Sequence, residues 1–99
     1  MILVNGTFRI PADKLDALRT MSEPVVTATR AEDGCIAYSY APDLHDAGLI
    51  HVVEKWRDRD ALAAHFRSAH MQAWITDRIA LGLHERTIRM FESDEGVAV

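Results

Sequence analysis

Residues 49–71 read LIHVVEKWRDRDALAAHFRSAHM, from Leu49 to Met71, and the change of period inside this stretch decides the fold. Leu49 to Trp56 is β-branched and apolar, which predicts a strand. The charged run Arg57 to Asp60 ends it, and Asp58 is placed as an N-cap for a short helix carrying Ala61, Leu62, His65 and Phe66. Ser68 is a second cap. It opens another helix with Met71, Trp74, Ile75 and Ile79 at helical spacing, stopped by Gly82.

Outward from there, Leu83 to Phe91 alternates as a strand, and Glu92 to Val99 is a polar tail. Upstream, the turn-rich Ala41–Gly48 connection sets Cys35–Tyr40 antiparallel to the Leu49–Trp56 strand. Leu3 to Ile10 is the first strand, closed by Pro11-Ala12-Asp13. A helix follows with Leu15, Leu18 and Met21 or Ser22 on one side. Pro24 interrupts it, because proline costs about 3 kcal/mol in a helix interior and is at home in a first turn. The pattern allows either a kinked helix or two segments, the second capped by Ser22. Gly34 sits where a left-handed helix terminus is wanted.

The order is β-α-β-β-α-β, an α+β, ferredoxin-like arrangement, in a single domain over residues 1–99 with a core of 2–91 and a tail of 92–99. A sheet with helices on one face leaves the other face to solvent or to a partner. Ile36, Val53, Ile50, Val52, Ile88 and Met90 supply apolar groups at both strand parities. A homodimer that places sheet against sheet is the expected solution.

Composition narrows the classes of function. With 48 % hydrophobic and 26 % charged residues the chain is globular, not disordered. No apolar run approaches the roughly 18 residues of a membrane span, and the start, Met1-Ile2-Leu3-Val4, lacks the form of a signal peptide. One cysteine, Cys35, excludes an intrachain disulfide and suits a reducing, cytoplasmic setting. A net charge of −4 with dispersed Lys and Arg argues against nucleic acid as a partner.

Three blocks carry a more specific signal. They are Thr29-Arg30-x-Glu32-x-Gly34-Cys35-x-x-Tyr38, Glu54-x-Trp56, and Ala61-Leu62-x-x-His65-x-x-Ser68-x-His70-Met71. In this order and spacing the chain resembles the antibiotic biosynthesis monooxygenase domain, over about Ile2 to Phe91. The resemblance implies a dimeric α+β barrel of ferredoxin-like protomers, with a cavity between sheet and helices in each subunit. It also implies cofactor-independent oxidation of a quinol or polyphenol by O2, without metal or flavin.

The candidate residues follow from these blocks. His65 falls on the sheet side of its helix and matches a histidine common in the family. With an ordinary pKa near 6.5 it is suited to take a phenolic proton. Its alternative is a hydrogen bond to Tyr38 or Glu54 that holds the helix on the sheet. Glu54 and Trp56 stand two apart on a strand and share a face, so Glu54 is expected to orient His65. Trp56, Tyr38, Asn5 and Trp74 are the candidates for substrate contact, each with a packing role as its alternative. His65 and His70 lie five apart, a poor metal signature, and a break near Ser68 is needed to bring them together. His70 is read as belonging to a helix start, and Glu32, Gly34 and Cys35 as a structural hinge.

Other activities on the same fold are weighed by the same residues. Haem-degrading members share an Asn, Trp and His set that this chain departs from at His65 and Ile75. An isomerase acting on a sugar phosphate would want a Gly-rich or Lys/Arg-rich cradle, which the linear sequence lacks. A non-catalytic small-molecule binder would use the same Tyr-, Trp- and His-lined cavity.

Overall fold

Strand β1 (Ile2–Arg9) lies inside a four-stranded antiparallel sheet of order β2-β3-β1-β4 in the computed structural model, which describes residues 1–99. The other strands are β2 (Cys35–Pro42), β3 (Leu49–Trp56) and β4 (His84–Glu92). Helix α1 (Leu15–Arg30) connects β1 to β2, and α2 (Arg59–Arg67) and α3 (Ala69–Asp77) connect β3 to β4. The protomer is therefore α+β and ferredoxin-like, with its second helix split in two.

Ser68 makes that split. Its extended backbone (ψ 150°) ends α2 and begins α3, and its Oγ both donates to the His65 carbonyl (2.6 Å) and accepts from the Met71 amide (3.2 Å). Asp58 caps α2 in the same way, accepting from the Ala61 amide at 2.8 Å. Each such cap is worth about 1 kcal/mol.

Of the two arrangements open around Pro24 the chain takes the single helix: α1 runs through Pro24, which is exposed, and Ser22 is no cap. With Leu18, Val25 and Thr29 it forms the buried stripe, spaced four, three and four residues apart. Ile79 is not core but 75 % exposed. After Asp77 the chain tightens into a 3-10 turn over Arg78–Leu81, so Leu81 turns inward instead. Gly82 then closes the turn in the left-handed conformation (φ 70°).

The strands sort their side chains by face. On β3, Ile50, Val52, Glu54 and Trp56 are buried under the helices while His51, Val53 and Lys55 point away. Direct pairing puts Leu3, Lys55 and Phe91 on the outer face, with Asn5, Val53 and Arg89 beside them. The outer face is thus mixed: Val53 and Phe91 are half exposed among polar groups, while Ile50 and Val52 are core and Ile88 and Met90 lie on the helix side. Gly6 is required at the β1–β4 seam. A Cβ there would meet the Thr87 carbonyl oxygen at 2.0 Å. Along β4 every residue but Ile88 is exposed, so the helices leave this edge open.

Candidate active site

A cavity of about 220 Å³ lies between sheet and helices and opens beside β4. Its floor includes Val4, Phe8, Val52 and Glu54 from the sheet, and its roof includes Leu62, His65, Met71 and Trp74 from α2 and α3. A second groove of about 250 Å³, between α1 and β2, contains no histidine. His65 makes the first the candidate site.

His65 is the most constrained titratable group there. Its side chain is 1 % exposed, and Nδ1 lies 2.8 Å from Glu32 Oε2. Tied through Nδ1–H to a carboxylate, a neutral imidazole carries its lone pair on Nε2. Nε2 makes no hydrogen bond within the chain, and His65 lines the cavity. Burial lowers the His65 pKa below the ordinary value, against the Glu32 hydrogen bond and charge, which raise it. The rings of Trp56 (4.8 Å) and Tyr38 (5.4 Å) brace the imidazole from the sheet side.

Glu32 reaches His65 because of the turn after α1. Gly34 (φ 84°) folds the chain so closely against α2 that a Cβ there would meet the Ala61 Cβ at 2.6 Å. The Gly34 carbonyl accepts from the Arg57 amide at 2.8 Å and pins the turn to the start of α2. The Ser68 break then brings in His70, whose Nε2 lies 3.1 Å from Glu32 Oε1 but makes no directed hydrogen bond. One ligand atom from each of Glu32, His65 and His70 lies within 4.8 Å of the others, a set able to hold a small cation.

Glu54 does not orient His65, contrary to the sequence expectation. Its Oε1 accepts from Trp56 Nε1 at 2.9 Å, a bond made inside one strand between residues on one face. Burial raises the Glu54 pKa, opposed by that bond and by the charge of Arg86. Trp56 is fully buried and does not line the cavity, so it braces His65 instead of forming a wall for a ligand. Asn5 is exposed on the outer face and has no place in this cavity.

Tyr38 and Trp74 do line the cavity, joined by a residue that sequence reasoning passed over. Trp74 Nε1 donates to Tyr40 Oη (3.0 Å), which shares a hydrogen bond with Tyr38 Oη (2.8 Å). Burial pushes the Tyr38 hydroxyl well above its ordinary pKa, so it stays a neutral phenol. The Tyr38-x-Tyr40 spacing on a strand was the available signal for a shared face. Glu32, Arg78 and Arg86 carried no such signal, because their roles depend on how separate elements meet.

A one-sided ferredoxin-like sheet with a buried imidazole–carboxylate pair beside an aromatic cavity defines a small α+β domain with a cavity under its helices. The model of the antibiotic biosynthesis monooxygenase (ABM) family matches residues 1–77, and the chain belongs to that family. "Putative monooxygenase Rv0793" of Mycobacterium tuberculosis is 36 % identical over 69 residues, covering 70 % of this chain and 67 % of that protein. Its solved structure superposes with a TM-score of 0.83 at 27 % identity, covering 98 % of each chain. A "putative antibiotic biosynthesis monooxygenase" from Deinococcus radiodurans superposes with a TM-score of 0.90 at 26 % identity, covering 100 % of this chain and 98 % of that one. An uncharacterised Synechocystis protein is 30 % identical over 74 residues, 75 % of this chain; the match spans 50 % of that relative's length. No helix is long and apolar enough to cross a membrane.

Proposed function

We propose that the protein is a monooxygenase that oxidises a quinol- or polyphenol-type aromatic with O2, with His65 as the general base. The observation that carries this reading is the orientation of His65: Glu32 occupies Nδ1 and leaves Nε2 for the cavity. Family membership supports the reaction class.

In this mechanism His65 takes the hydroxyl proton of the bound ring, leaving an electron-rich phenolate. The phenolate passes an electron to O2, the radicals combine at a ring carbon, and imidazolium returns the proton to the peroxide. Loss of the ring C–H proton and scission of the O–O bond give the quinone and water. For a phenol with a free para position the balance is one phenol and one O2 to one quinone and one water. Because the substrate supplies the electrons, the sequence calls for no metal or flavin. Glu32 is a positioning residue, Tyr38, Tyr40 and Trp74 shape the ring's seat, and Trp56 holds the base from behind.

The test is oxygen uptake by metal-free protein against a panel of hydroquinones. Uptake that falls about 100- to 10,000-fold in His65→Ala agrees with the reading. No enzyme-dependent uptake with any hydroquinone, or an unimpaired variant, overturns it.

The proposal includes a homodimer through the outer sheet face. Half-exposed Val53 and Phe91 and the uncovered edge strand β4 support it.

A further inference from the structure

The sequence has 15 acidic residues against 11 basic ones, so an arginine has carboxylates to spare as partners. Arg19 and Arg59 each take one, and Arg9 and Arg57 take two. The exceptions that matter lie on the cavity. Arg78, in the turn after α3, and Arg86 and Arg89, on β4, line it, and none of the three has a carboxylate within 4.0 Å.

Arg78 and Arg86 reach the cavity from different elements, the turn after α3 and β4. Arg78 is half-buried, and its charge and that of Arg86 are close enough to repel. The acidic group in reach of Arg86 is Glu54, which is itself buried and already bonded to Trp56. Two like charges held together over an apolar cavity, one of them partly desolvated, are unfavourable until an anion sits between them. A guanidinium is also the group suited to grip a planar oxyanion by two parallel hydrogen bonds. Deeper in, Tyr38, Tyr40 and Trp74 offer a seat for a ring. The fold thereby assembles a cationic feature that the linear sequence, with its dispersed Arg residues, does not display.

We propose that the ligand is a compact aromatic bearing an anionic substituent, a carboxylate or a phosphate, whose anion is held by Arg78 and Arg86 while its ring enters the cavity toward His65. This deepens the proposed oxygenase reading by naming its substrate class. It would also allow a neutral quinol to bind more weakly than an acidic one.

The test is equilibrium binding, without oxygen or turnover, so it succeeds or fails apart from the oxygenase reading. Calorimetric titration of the full chain would compare 4-hydroxybenzoate with its neutral counterpart 4-hydroxybenzamide, and phenyl phosphate with phenol. The expected result is at least tenfold tighter binding of one or both anions than of the matched neutral compound, and the tighter anion identifies the substituent. Arg78→Gln should remove most of that preference, and Arg86→Gln, at an exposed position, part of it. Arg67→Gln, on the exposed face of α2, should leave it unchanged. Equal affinity for anion and neutral partner, no binding of either at millimolar concentration, or a preference that survives in both cavity variants would overturn the proposal. Anion preference in a protein that consumes no oxygen would retain this inference and defeat the oxygenase reading.

Discussion

At the scale of single residues, the site is a division of labour between two carboxyl groups. Glu32 is spent on His65, and Glu54 on Trp56. The consequences differ in sign. Glu32 raises the His65 pKa against the larger effect of burial, so Glu32→Gln should move the acid limb of the kcat/KM profile to lower pH. The same change frees the ring to turn, so the plateau should also fall, by about 10- to 100-fold. A plateau loss with an unmoved limb would separate Glu32 from the base. Glu54 has a raised folded pKa, so the folded state binds its proton more readily than the unfolded chain. Its contribution is fully present below the ordinary carboxylate pKa and is lost as pH rises through the folded value. Glu54→Gln keeps an acceptor for Trp56 and should be more stable than the native protein at neutral pH, by about 1 kcal/mol. Urea denaturation at pH 5 and pH 8 would show the difference between the proteins growing with pH.

At the scale of elements, the pairs that matter are made by breaks and close approaches. The Ser68 break carries His70 toward Glu32, and Ser68→Ala should cost about 1 kcal/mol through loss of the α3 cap. Gly6 is the most exacting position of the sheet. Gly6→Ala drives a Cβ into the β4 backbone and should cost several kcal/mol, read as a lower denaturation midpoint or loss of the folded protein. The elements were largely legible in the sequence, since alternation marks β3 and the Asp58, Ser68 and Gly82 signals mark helix ends. Pro24 left two arrangements open, and tertiary packing of the Leu18, Ser22, Val25 and Thr29 stripe favours the single helix. Ile79 misled because a 3-10 turn rotates side chains out of helical phase.

At the scale of the whole molecule, the outer face and the cavity raise separate questions. Sheet pairing predicts a dimer by analytical ultracentrifugation, and Val53→Lys should shift it to monomer by placing a charge at a half-exposed apolar position. His65 was legible as a candidate base, whereas its partner was not. Glu32 lies 33 residues away, in a turn, and nothing periodic points from it to α2. Glu54 was the natural choice on strand parity, yet shared parity places it beside Trp56 and says nothing of the helix above. The central claim is that the fold presents His65 as a neutral base with Nε2 free toward the cavity. Nitrogen-15 NMR of histidine-labelled protein tests it most directly. At pH 7 the account predicts a protonated Nδ1 and an unprotonated Nε2 for His65, titrating below the ordinary histidine value. An Nε2–H tautomer, or an imidazolium persisting through neutral pH, would contradict it.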